Sequence, residues 1–120
     1  MTDPRECLEA AESIVLRNPA CTGAEYRGAI HLAYYAVYHL VAGHMGQPTL
    51  GDKAVKHRNI VSLLRNSANI DPLIYEAKRN YAKIMTLRFR SDYDFSIDIG
   101  IDEANDAVDW AYEIFDAKSV

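Results

Sequence analysis

Apolar residues recur along this chain at helical spacing. The longest stretch is Thr22 to Met45, where Ile30, Ala33, Tyr34, Val37, Leu40 and Val41 fall on one face. A second stripe, Arg27, His31, Tyr35 and Tyr38, runs beside it. A helix apolar on one side and aromatic-polar on the next leaves few positions for water, so this is the expected central helix of a bundle, touched on two or three sides. Thr22 with Glu25 fits a capping box at its start. Gly43 and Gly46 weaken its end, and Pro48 forbids continuation.

The other elements follow the same logic. A first helix is expected from Pro4 to about Arg17, capped by Asp3, with Leu8, Ala11, Ile14 and Val15 buried and Glu6, Glu9 and Glu12 facing water. Asn18-Pro19 ends it. A short third helix is expected from Lys53 to Asn66, followed by a turn at Asn66-Ser67-Ala68-Asn69. A fourth is capped by Asp71, begins at Pro72 and ends near Tyr93. Leu73, Ala77, Tyr81, Ile84 and Arg88 share its inner face, so an arginine occupies a hydrophobic position, with Asp92 one turn later. Residues 94–101 alternate like a strand but have no second strand to pair with. They read as an extended connector pinning Phe95, Ile97 and Ile99 to the bundle. A fifth helix is expected from Asp102 to Lys118, its acidic start and Lys118 end matching the helix dipole. Ala104, Ala107, Val108, Ala111, Ile114 and Phe115 are its buried face. The expected fold is a single all-α domain over 1–120, an up-and-down four-helix core with an additional helix.

Composition adds bounds. The chain of 120 residues is long enough for one hydrophobic core. Its net charge of −4 argues against indiscriminate nucleic-acid binding. Charge is uneven, however: residues 52–90 hold nine Lys/Arg against three Asp/Glu, and residues 91–120 hold one Lys against nine Asp/Glu. Either the acidic last helix neutralises the basic middle, or the middle helices present a basic surface to phosphate. Cys7 and Cys21 lie too far apart for a disulfide, about 21 Å if helical. Two such thiols, no signal peptide and no membrane-length apolar run suggest a soluble, cytoplasmic protein.

Chemistry is sparse. No pair among His31, His39, His44 and His57 has the i, i+4 spacing plus acid of a zinc helix, so neither metal nor other cofactor is expected. Arg27 and His31 are one turn apart and could stack or share a carboxylate. Tyr34, Tyr35 and Tyr38 read as core and interface packing. The most specific stretch is Leu87-Arg88-Phe89-Arg90-Ser91-Asp92-Tyr93, whose buried-side arginine implies an internal ion pair.

Three stretches, Arg27 through His39, His57 through Val61, and Arg88 through Tyr93, occur in an order and spacing that resemble a prokaryotic HEPN domain, in the subgroup whose fourth helix carries Arg-x-x-Ala/Ser-Asp-Tyr. The resemblance covers nearly the whole chain. It implies a homodimer and, in active relatives, metal-independent RNA cleavage by an arginine and a histidine with four to six residues between them. Many such proteins are toxins of toxin–antitoxin pairs; others bind nucleotides or partner proteins, often beside a nucleotidyltransferase. This chain departs from that motif: no histidine has an arginine five to seven positions before it, and Arg88 is followed by Asp92 and Tyr93. Cleavage through a 2′-hydroxyl needs groups that exchange protons near neutral pH. A carboxylate held by a guanidinium, or a free tyrosine titrating at about 10, is poorly suited. The expectation is a non-catalytic HEPN-like module that binds a partner protein and, in addition, could hold a nucleotide or RNA, in a toxin–antitoxin or nucleotidyltransferase-associated context. Arg88, Asp92, Tyr93, Arg27, His31, Tyr35 and His57 are the candidate binding residues. The first alternative is a ribonuclease toxin whose base, His31 or His57, folds toward Arg88. The second is a purely structural dimerisation module.

Overall fold

Thr22 and Glu25 form the expected capping box, the hydroxyl accepting from Glu25 N–H and the carboxylate from Thr22 N–H. From there the chain runs as helix α2, Gly23–His44. It ends in a Schellman turn: Gly46, with φ +67°, donates to Gly43 C=O, and Gln47 donates to Ala42 C=O. The computed structural model describes residues 2–68 and 71–118. Its other helices are α1 (Pro4–Leu16), α3 (His57–Arg65), α4 (Pro72–Tyr93) and α5 (Ile101–Lys118). Asp3 caps α1 in a second capping box, and Asp71 caps α4 ahead of Pro72. Asn69, at the end of the expected turn, lies outside the described residues, as does the side chain of Lys118.

The packing is an up-and-down core of α1, α2, α4 and α5, each touching its ring neighbours while α2 and α5 meet across the diagonal. Directions follow from the contacts. His44 at the end of α2 bonds Asp71 at the start of α4, and Arg27 near the start of α2 bonds carbonyls at the end of α4, so these two helices are antiparallel. α3 is the additional helix, lying against α4 and α2. α2 is the most enclosed element: Ala29, Ile30, Ala33, Tyr34, Ala36, Val37, Val41 and Ala42 are fully buried along it. Each large apolar side chain so enclosed contributes roughly 1.5–3 kcal/mol.

Three expectations change. α3 begins at His57 rather than Lys53, because residues 52–53 form a turn closed by Ala54 N–H on Gly51 C=O and Lys56 is extended, with no side-chain cap. Val55 instead ties the loop down, donating to Pro48 C=O while its own carbonyl accepts from Tyr38 Oη at 2.7 Å. In the connector, Ile99 is buried and Ile97 half-buried, but Phe95 is 78% exposed. The alternation breaks at the turn of residues 95–97, where Ser96 N–H bonds the Asp94 carboxylate. Glu12 is not fully in water either: it is half-buried and accepts from Tyr112 Oη at 3.0 Å. No described helix is long and apolar enough to cross a membrane.

Candidate functional site

Because α2 and α4 run antiparallel, the stripe Arg27–His31–Tyr35 faces the last two turns of α4. Asp92 is the hub. Its Oδ2 lies 2.9 Å from His31 Nδ1 and 2.8 Å from Arg88 Nε. A carboxylate only accepts, so Nδ1 carries a proton and donates to Asp92, which leaves Nε2 outside that bond. The ring of Tyr35 packs on His31 with centroids 4.4 Å apart.

Arg88 lies on the inner face of α4, as its place in the Leu73–Ile84 stripe implies, and is only 8% exposed. Its Nε–H does not point at Asp92, so their contact is an ion pair and Nε is buried without a hydrogen bond. Among the described residues Nη1 and Nη2 have no hydrogen-bond partner, but unlike Nε they are not sealed from solvent. The guanidinium is otherwise bounded by aromatic rings: Cζ lies 5.4 Å from the ring of Tyr34, 5.2 Å from Phe89 and 5.9 Å from Tyr93. Phe89 and Tyr93 stack on each other at 6.0 Å, and Tyr93 is 72% exposed.

Behind Arg88, the fully buried Tyr34 bridges three helices. Its Oη lies 2.5 Å from His57 Nδ1 and 2.8 Å from Tyr81 Oη. Burial pushes the Tyr34 hydroxyl up to about 12 and that of Tyr81 higher still, so both keep their protons. Burial, then the positive charges of Arg88 and His39, hold His57 below the ordinary histidine value. His57 also packs on Tyr38, centroids 4.3 Å apart. An imidazole therefore stands on each side of Arg88, reached through Asp92 and through Tyr34.

Arg27 does not share a carboxylate with His31. Nη1 donates to the carbonyls of Ser91, at 2.5 Å, and Asp94, at 3.1 Å, while Nη2 donates to Ile97 C=O at 2.6 Å. Phe95 lies over its guanidinium at 4.7 Å. Arg27 thus closes the open end of α4 and fixes the connector. Its charge, with His31 and Asp92, borders a groove of about 390 Å³ between α2 and the end of α4.

The candidates Arg88, Asp92, His31, Tyr35 and Tyr93 accordingly meet at one place, with His57 behind them and Arg27 as their structural brace. The residues that sequence reasoning left in the core are Tyr34 and Tyr81. Tyr81 shares the α4 stripe with Arg88, which was the visible sign, but the hydroxyl chain to His57 depends on where α3 packs. Among the described residues no three His, Cys, Asp or Glu side chains converge as a metal site. Comparisons of the chain with protein-family models, with curated proteins and with solved structures find no match.

Proposed function

We propose that this protein is a HEPN-like helical module that holds a phosphate-bearing ligand, a nucleotide or RNA, at Arg88 without cutting it, and that works with a partner protein in a toxin–antitoxin or nucleotidyltransferase-associated setting. The observation that carries the reading is Arg88 itself. The guanidinium is nine-tenths buried, its Nε is sealed without a hydrogen bond, and its two terminal nitrogens reach solvent with no protein acceptor, so they are open to a ligand. A phosphate would satisfy those nitrogens in a bidentate fork. The exposed rings of Tyr35, Phe89 and Tyr93 beside it suit either a stacked base or a second copy of the chain. A homodimer is part of this reading, and sedimentation at micromolar concentration tests it.

The test is thermal melting of the metal-free protein with inorganic phosphate, ATP and a short RNA. A ligand that binds only the native state, at ten times its Kd, raises Tm by roughly 5 °C for a chain of this size. That shift is expected in the wild type and absent in Arg88→Met, with Arg88→Lys retaining part of it and both variants checked for helical content. No shift with any of the three would leave only a structural dimerisation module.

A second reading, metal-independent endoribonuclease, is favoured by one observation: Asp92 holds His31 through Nδ1 and leaves Nε2 outside that bond, the carboxylate–imidazole pairing that a general base uses. It predicts cleavage of mixed RNA that is lost in both His31→Ala and Arg88→Ala. Intact RNA after long incubation with protein that binds it supports the gripping reading.

A further inference from the structure

We infer that the groove between α3 and α4 is a docking site for an acidic, amphipathic helical segment of a partner protein. This rests on the partner-binding half of the proposed function but uses a different face from the Arg88 site. The groove has a volume of about 370 Å³. Val61 and Leu64 of α3 form one wall, Ala77 and Ala82 of α4 the other, and Arg65 and Lys78 supply its charge. No carboxylate is among its lining residues.

Two observations say what covers it. First, the acidic end of the chain does not reach it. α5 packs on α1, α2 and α4 but makes no contact with α3, so the expected neutralisation of the basic middle stops at α4. Among the described residues, Lys53, Lys56, Arg58 and Arg65 have no carboxylate within 4.0 Å. Arg65 alone of these lines the groove, beside Lys78, whose ammonium donates to Ser67 C=O; with no carboxylate in the lining, an occupant that brings negative charge complements them. Second, the walls are aliphatic, and the ring that lines the groove, that of Tyr81, has no exposed face to stack on. Tyr81 is fully buried and its hydroxyl is engaged by Tyr34. Single-stranded nucleic acid stacks on exposed rings, and no lining residue of this groove presents one. A helix presenting apolar side chains three and four residues apart, with acids beside them, matches both the walls and the rim.

The occupant is not the α5 of a second copy. That helix spends its apolar face, including Ala107, Ala111 and Ile114, in its own core and exposes Asp102, Asp106, Asp109 and Glu113. It carries the charge without free anchors. The docked segment comes from a different chain.

The experiment is selection from a random peptide display library on the full-length folded protein, with Ala82→Glu as the counter-target. Ala82 and Arg65 are exposed, so substitution there spares the core. Enriched peptides should carry Leu, Ile, Phe or Met at helical spacing with Asp or Glu between them. Their affinity should fall by about tenfold in Ala82→Glu and in Arg65→Glu, and fall further with added salt. The phosphate-induced Tm shift assigned to Arg88 should be unchanged in both variants, so the two proposals fail separately. Enrichment of basic peptides, no enrichment over the counter-target, binding that survives Ala82→Glu, or an RNA whose binding is lost in Arg65→Glu would each overturn the assignment.

Discussion

His31 on α2 and Asp92 on α4 meet at 2.9 Å, through the same carboxylate oxygen that stands 2.8 Å from Arg88 Nε. One negative charge therefore serves two purposes. It offsets a buried guanidinium, and it sets the tautomer and orientation of an imidazole contributed by another helix. Within α4 the residues that follow Arg88, Asp92 and Tyr93 among them, supply no imidazole. Across the α2–α4 seam an imidazole is nevertheless supplied.

Asp92→Asn separates these roles. Removing the charge leaves Arg88 without its compensating partner, and stability should fall by about 2 kcal/mol in urea denaturation. Phosphate affinity should rise, because the anion no longer competes with a carboxylate for the guanidinium. An unchanged affinity alongside lost stability would assign Asp92 to locking the bundle alone.

Arg27→Met tests the brace. Three carbonyls, those of Ser91, Asp94 and Ile97, lose a charged donor. The expected cost is about 2 kcal/mol, reduced from the sum of three charged bonds because the Asp94 contact is exposed. Hydrogen exchange should quicken in the connector after Asp94 while the N-terminal half of α4 keeps its protection. Uniform loss of protection would mean that Arg27 holds the whole bundle rather than one corner.

How much of this was legible in the sequence divides along a physical line. Caps and breakers act within a few residues, so Asp3-Pro4, Thr22-Glu25 and Asp71-Pro72 mark their helix starts correctly. The inner stripe of α4 places Arg88 and Asp92 on one face because helical geometry is local. What depends on packing was not legible. Nothing in residues 53–56 tells that Val55 will be held by Tyr38, which delays α3 to His57. Nothing near Arg27 tells that its partners are main-chain carbonyls more than sixty positions away. The alternation of residues 94–101 correctly puts Ile99 inside, but it cannot foresee the turn that leaves Phe95 over Arg27 at the surface.

Tyr34→Phe should be costly although it removes one oxygen. Tyr81 Oη and His57 Nδ1 both lose their partner, and Tyr81 is fully buried. The expected loss is about 1–3 kcal/mol. The double variant Tyr34→Phe, Tyr81→Phe should recover part of it, since no buried hydroxyl is then left unpaired. A double variant less stable than the sum of the single changes would argue against the hydrogen-bonded chain.

His57 gives the bundle a pH dependence of defined sign. Burial and the charges of Arg88 and His39 favour its neutral form in the folded state, so its folded pKa lies below the unfolded value of about 6.5. Above the unfolded value both states are neutral and the contribution is complete. As pH falls below it, the unfolded chain takes up a proton that the folded chain resists, and stability declines until the folded pKa is reached. Glu25, Asp71 and Asp94 are held below the usual carboxylate range by their hydrogen bonds, and their losses come at lower pH. Denaturation midpoints measured between pH 7.5 and pH 5.5 should therefore fall more steeply for the wild type than for His57→Gln, with α3 amides losing protection first because α3 has no side-chain cap. Parallel slopes for the two proteins would remove His57 as the source of the pH response.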